Sequence, residues 1–430
     1  GELLADISLL ELPAERLDVA ALLAKAPLSE AERAELTGLL TVQEDALPEV
    51  AFGDLSDYLY SISYETFLKK HGGIRSERLL TFLRNMPAGY FGVGTDAVPA
   101  LEAMLFGLPG LNKTGVPGAD WLAEQAVDWL VEPYIYHYPD GNATIARALV
   151  RSLIPSICPP GDARQLVLER FRYDQLDRSE HNVRLRLSST VIAAANDGDG
   201  VSVKYHKDGR LHSARGRQSV LACYNMMIPY LCPELPETQK AALKSLVKAP
   251  LVYTNVALRN WEPLARAGVG MAITPSAFHD YFMVDFPVSV PGYDFSPGPE
   301  SPVLLHFSAA LTAPGLTPRE QHRVGRAKLL GTPFSTIEAD VRATLQEVFG
   351  PFGFEADRDM AAITVNRWPH GYAYGHHSLF DPDYEPGTAP HEIGRARHGN
   401  ITIANSDAGA RAYLDEAINQ GHRAVTELFS

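Results

Sequence analysis

Two stretches of this sequence combine residue types and spacing that could act on a ligand. The first is Val365-Asn366-Arg367-Trp368-Pro369-His370-Gly371-Tyr372-Ala373-Tyr374, in which three electron-rich rings crowd together. Such rings can hold a cation by quadrupole attraction. Taken alone, a tryptophan and tyrosines on a turn more often serve as half-buried packing residues. The second is Gly399 to Leu428, where a buried strand (Gly399–Ala404) runs through a turn (Asn405–Ala410) into an amphipathic helix (Ala412–Leu428). A turn feeding a helix start offers free backbone N–H groups and partial positive charge, which suits an anionic or electron-rich ligand.

Other strings are weaker. Gly92-Val93-Gly94-Thr95-Asp96-Ala97 resembles a dinucleotide fingerprint, but no hydrophobic strand precedes it and no suitably spaced carboxylate follows. It reads as a glycine loop before a helix. His370, His376, His377, Asp381, Asp383, His391 and His398 fit no zinc spacing, so no metal is expected. Cys158, Cys223 and Cys232 are too few for a disulfide framework and form no CxxC knuckle.

These residues need elements to position them. Leucines and alanines at helical spacing from Leu17 to Leu40 and from Leu55 to Leu83 predict a helical cap over residues 1 to about 130. Tyr134 to Tyr138, Pro139-Asp140-Gly141-Asn142 and Thr144 to Leu153 read as strand, turn and helix, with Asn142 as the N-cap. Alternation from Val183 to Tyr205, around Asp197-Gly198-Asp199-Gly200, predicts a strand pair. Ser219 to Cys223 lacks polar alternation and is expected to be buried on both faces. Strands are predicted at Leu251 to Leu258 and Pro302 to Leu311, and helices at Pro318 to Leu330 and Ile337 to Phe349.

Size and charge bound the function. A chain of 430 residues usually divides into two packed domains. The net charge of −14 argues against nucleic acid and agrees with a small cationic partner, although acidity also serves plain solubility. No apolar run approaches the roughly 20 residues of a membrane span, so the chain reads as soluble. It opens at Gly1 already in a leucine-rich register, and a segment upstream is expected.

Gly399 to Ala408, followed by Ala412 to Ile418 and Gly421 to Val425, resembles the C-terminal flavin motif of the amine oxidase family. Asn405-Ser406-Asp407 stands where Ala-Gly-Glu is common and Glu416 where glycine is usual, which resembles the spermidine dehydrogenase branch. Tyr138 to Ala143, Leu221 to Met226, Lys248 to Tyr253 and Val365 to Tyr374 are similar to that branch in the same order.

The resemblance implies an α/β fold: an FAD/NAD(P)-binding, amine-oxidase-like domain built from discontinuous segments, plus an α+β substrate domain with a mostly antiparallel sheet. The division expected is residues 1–135 as helical cap, 136–240 as an FAD-binding segment, 241–365 as substrate domain and 366–430 as the C-terminal FAD-binding segment, with the Gly-rich unit that grips the ADP half of FAD absent. Trp368, Tyr372 and Tyr374 then become the substrate cage, with the choice between the two tyrosines left open. Ser406, Asp407, Tyr413 and Leu414 would meet the isoalloxazine, and Val191 would read the adenine. Lys248 resembles a flavin-facing lysine but stands too early relative to Trp261, so that role is not carried over.

The implied reaction is oxidative cleavage of a polyamine such as spermidine, by hydride transfer to FAD and imine hydrolysis. Members of the branch are flavohaem proteins, which leaves room for a haem on one unspecified histidine. A periplasmic setting is implied in the same way, while the electron acceptor and assembly into a homo-oligomer stay open. The alternatives are another flavin amine or amino-acid oxidase, marked by an arginine for a substrate carboxylate, and a non-catalytic remnant or subunit.

Overall fold

The computed structural model describes residues 23–24, 26–41, 45–110, 113–114, 138–275 and 277–430. Residues 17–22 and 25 of the expected helical stretch lie outside these residues, as does the aromatic run from Tyr134 to His137, while the second half of that stretch forms the helix Glu30–Thr41. Among them, no helix is long and apolar enough to cross a membrane.

The N-terminal part is helical, with a core of Leu39, Leu59, Tyr64, Phe67, Leu68 and Leu83. The leucine register from Leu55 to Leu83 resolves into three short helices, Leu55–Ser61, Tyr64–Lys70 and Glu77–Leu83. Ser63 and Ser76 cause the breaks: each hydroxyl accepts a bond from a backbone N–H of the next helix, at Thr66 and Leu79. Gly92 ends the helix Ala88–Phe91 in the left-handed region, so the Gly92 string is a helix terminus followed by a loop.

Three sheets follow. Strands β1 (Thr190–Asp197), β2 (Gly200–Lys207) and β3 (Arg210–Gly216) form an antiparallel meander, one strand more than the sequence suggests. The alternation at Val183 to Leu187 is not strand. It directs Arg184 and Arg186 to the same side, where both guanidinium groups donate to Asp177. Strand β4 (Ser219–Leu221) pairs in parallel with β10 (Ile401–Ile403). β10 is buried throughout, whereas Val220 of β4 is 36% exposed, so β4 is covered on one face only. Asn142 precedes the helix Ala143–Leu153 without a side-chain cap; the Thr144 hydroxyl donates to Asp140 instead.

The largest sheet has the order β6 (Met271–Ile273), β7 (Tyr281–Val284), β8 (Val303–Ala310), β5 (Ala249–Leu258) and β9 (Met360–Tyr372), all antiparallel. Its two faces differ. Val256, Leu258, Phe282, Leu305 and Phe307 are buried against Val341, Leu345 and Phe349 of the helix Phe334–Phe349. Each such ring or aliphatic chain contributes roughly 1.5–3 kcal/mol. The helix Pro318–Gly331 presses so closely on the end of β8 that a Cβ on Gly325 would lie 1.9 Å from the Leu311 carbonyl oxygen. The opposite face carries Tyr253, Asn255, Tyr281, Met283 and His306, all part-buried.

One end of that open face is closed by the N-terminal helices. Ala88 packs on Leu251 and Ala310. Beside them the Asp280 carboxylate accepts from the Asn85 amide (2.9 Å) and the Ala310 N–H (2.9 Å). Burial outweighs these bonds and raises the Asp280 pKa to about 7. An unfolded aspartate titrates near about 3.9, so this site is most stable below that pH and loses stability as pH rises through about 7. Asp280→Asn is therefore expected to flatten the stability profile. Thermal melts should show the variant gaining on the parent between pH 5 and pH 8.5; a parallel shift at both would mean Asp280 does not titrate there.

Candidate active site

The parallel pair β4 and β10 ends in two turns that face each other across a crevice, lined by Ala222, Cys223, Tyr224, Asn405, Ser406 and Asp407. Ligands in α/β sheets gather at such strand ends. Asn405 ties the turns together, because its amide donates to the Cys223 carbonyl and to Asn225 Oδ1 and its Oδ1 accepts from the Ala408 N–H. Asp407 is buried; its Oδ2 accepts from the Asn225 N–H (3.0 Å) and its Oδ1 from the Lys248 ammonium. Lys248 is likewise buried, with its Nζ 5.0 Å above the Tyr224 ring. It stands at the crevice, while Trp261 lies at the far end of the sheet, bonded through Nε1 to Ser296.

Lys248 immediately precedes β5, so the crevice abuts the large sheet. There β9 bulges: Leu251 faces Trp368 while Ala249 faces Tyr372, leaving Pro369, His370 and Gly371 in the irregularity. A Cβ on Gly371 would come within 2.8 Å of the Leu251 side chain, so only glycine fits this turn of the strand. The bulge brings His370 to 5.4 Å from the Tyr224 ring, and Trp368 is 46% exposed. The expected turn is thus an irregular strand.

Tyr372 belongs to a group of phenols. Its hydroxyl donates to the Gly89 carbonyl (2.8 Å) and lies 3.3 Å from that of Tyr253. Burial raises its pKa, and the neighbouring phenols of Tyr253, Tyr281 and Tyr413 act in the same direction. Burial also pushes Tyr281 up to about 12, with Tyr253 and Tyr90 adding to it. Tyr90, Tyr253, Tyr281, Tyr372 and Tyr413 therefore converge, and all but Tyr372 and Tyr413 escaped the sequence reading. From Val252 to Leu258 burial alternates, with Tyr253 and Asn255 on the less buried side.

Tyr374 goes elsewhere. It is buried beyond the strand, its hydroxyl donates to Asp381 (3.0 Å), and the Arg319 guanidinium covers its ring at 4.2 Å. This separates Tyr374 from the Tyr372 group. His322 and His377 pack in the same cluster, where burial lowers their pKa values to about 4 and about 3. Among the described residues, no group of three or more His, Cys, Asp or Glu could hold a metal.

Ser406 lines the crevice beside Asp407. Tyr413 and Leu414 begin the helix Leu414–Phe429, which has no side-chain cap. Its first turn holds Asp415 and Glu416, the latter folded over Gly409, so acidic groups already answer part of the helix dipole. Val191 sits at the β1 bulge, 39% exposed, and is not among the crevice-lining residues.

The crevice fits one edge of a flavin. Asn225 Nδ2 and His370 Nδ1 are buried without a hydrogen-bond partner, and both border it through Asn405 and Tyr224. An unmet buried amide donor beside a lysine suits a ring edge rich in carbonyl and imine acceptors.

No family model matches the chain, and no curated protein does. Among solved structures, putrescine oxidase bound to putrescine aligns with 14% identity over 94% of this chain and 76% of its own, at a TM-score of 0.51. A variant of that enzyme from a redesign of its cofactor binding aligns at 13% identity over the same shares, at a TM-score of 0.53. Cyclohexylamine oxidase from Brevibacterium oxydans covers 89% of this chain and 75% of its own at 13% identity, but its TM-score of 0.44 carries no weight. These likenesses establish the fold, a mixed α/β architecture shared with putrescine oxidase.

Replacing Lys248 by Met strands a buried carboxylate and is expected to cost about 3–5 kcal/mol, with most of it recovered in Lys248→Met/Asp407→Asn. Urea denaturation of the three proteins checks this. A single variant as stable as the parent would show that the pair does not hold the crevice together.

Proposed function

We propose that this chain oxidises a linear polyamine of the spermidine type with FAD as the acceptor of hydride. The observation that carries the reading is the junction of two groups: the phenols around Tyr372 lie at the same end of the large sheet as the crevice of Asp407 and Lys248, because Tyr372 pairs with Ala249 beside Lys248. Asn225 Nδ2, Lys248 Nζ and the Ser406-Asp407 turn would hold the flavin edge, and Trp368 and Tyr372 would wall the reacting amine. When bound, FAD would take hydride from the carbon beside the amine nitrogen, and hydrolysis of the imine would release an aldehyde together with that nitrogen as ammonia or as the shorter amine it carries.

The protein's own part is recognition and protonation control. Aromatic faces and phenol oxygens attract an amine and orient its α-carbon. Because burial raises the Tyr281 and Tyr372 pKa values, those phenols stay neutral across the working range and supply no anion. The amine must lose its own proton, which for a free alkylammonium occurs near about 10. Activity is thus expected to rise on the alkaline side, with a limb that belongs to substrate.

An amino acid would need a cationic partner for its carboxylate. The nearby guanidinium groups are engaged: Arg326 donates to the Pro369 and Lys248 carbonyls, and Arg319 to Asp381. This favours amines without a carboxylate.

The test is an absorption spectrum of the purified protein supplied with FAD. Flavin bands that bleach when spermidine is added without oxygen are the expected result; retention of no flavin would overturn the proposal. Tyr372→Leu should lower kcat/KM for spermidine about 10–30-fold through loss of the ring. An unchanged kcat/KM would remove Tyr372 from the cage.

A further inference from the structure

The open face of the large sheet continues beyond the phenols, and its register arranges side chains in rows. Tyr281 faces Ser308, which faces Tyr253, which faces Asn366. The next row on the same side is Met283, His306, Asn255 and Thr364. Within it, His306 Nδ1 and Asn255 Oδ1 lie 3.0 Å apart, and the His306 ring meets Tyr253 edge-on at 5.0 Å. A third row contains Leu304 and, by alternation along β7, Asp285, whose N–H donates to the Leu304 carbonyl. The face thus passes from aromatic to neutral polar to carboxylate. The residues of these rows include no lysine or arginine.

Asp285 has an unusual position for a carboxylate. It is part-buried, accepts only the Phe286 N–H (3.0 Å) among its hydrogen bonds, and forms no ion pair among the described residues. A carboxylate facing a cation gains a charge-assisted bond. Among the described residues, these rows contain no other carboxylate.

The spacing selects the cation. Residues two apart on a strand lie about 6.7 Å apart, so Asp285 stands about 13 Å along β7 from Tyr281. An extended chain advances roughly 1.2 Å per bond, so a diamine with four carbons spans about 6 Å and a triamine with three and four carbons about 11 Å. The diamine covers one row interval. The triamine, with the reach of an aspartate side chain, covers the distance from the phenols to Asp285.

Resting on the polyamine reading above, we infer that Asp285 is a specificity-determining residue: it binds the far ammonium of a linear triamine laid along the open sheet face, with the His306 and Asn255 row beneath the middle nitrogen. Diamines and monoamines end before Asp285 and are not read by it.

The test uses the full chain with FAD and three probes: spermidine, putrescine and butylamine. In Asp285→Asn the KM for spermidine should rise about tenfold with kcat held within twofold, while the KM values for putrescine and butylamine move less than threefold. Asp285→Glu, which keeps the charge, should stay within threefold of the parent for spermidine. Equal changes for all three amines, or no change for spermidine, would overturn the inference, and a melting temperature for each variant separates these from misfolding. Calorimetric titration of the same amines distinguishes this failure from that of the functional reading. Spermidine that binds the parent and weakens about tenfold in Asp285→Asn, without turnover, would leave the sheet track standing and remove the oxidation. Spermidine that binds neither protein would remove both.

Discussion

Lys248 and Asp407 are separated by 159 residues, and both are buried. Two charges taken out of water are tolerable only if they meet, so the segment entering β5 and the turn leaving β10 must arrive at the same point. That requirement joins the small parallel pair to the large antiparallel sheet. The Asn225 N–H takes the second oxygen of Asp407, which fixes the loop after β4 as well. Three segments distant in the chain are thereby committed to one crevice, and the position of Tyr224 and His370 at its rim follows from them.

The large sheet supplies the other half of the arrangement. One face is sealed by the helix Phe334–Phe349 over Phe282, Phe307 and Val256, so the strands are rigid where the opposite face works. A site built on strands inherits their period, which is why Tyr253 and Asn255, or Tyr281 and Met283, fall on one side. The β5–β9 pairing slips twice, once near Ala361 and once at Pro369 to Gly371, and the second slip falls where the sheet meets the crevice.

Much of this was legible in the residues. The strands at Leu251 to Leu258 and Pro302 to Leu311, the helices after Pro318 and the strand, turn and helix at the end of the chain all lie within a few residues of where alternation and helical spacing put them. The site was read less completely. Trp368, Tyr372, Ser406 and Asp407 were named, and the structure gathers them near one junction. Tyr374 shares a string with Tyr372 but leaves the strand and turns to Asp381, which no spacing rule could reveal. Tyr90, Tyr253 and Tyr281 come from separate elements, and only tertiary packing brings their hydroxyls together. Lys248 was discounted by a distance along the chain that has no meaning once β5 carries Trp261 to the other end of the sheet.

Asp280 gives the molecule conflicting demands. The chemistry proposed for the phenol group needs a deprotonated amine and so improves toward alkaline solution, whereas ionisation of Asp280 near pH 7 loads the contact between the helical cap and the end of β8 with an unwelcome charge. Conditions of fastest turnover and of longest lifetime then lie apart on the pH axis. The contact that closes the aromatic end of the face has already given up that stability at the pH where the substrate becomes reactive, so the gain in rate per molecule is drawn on a less durable form of the protein.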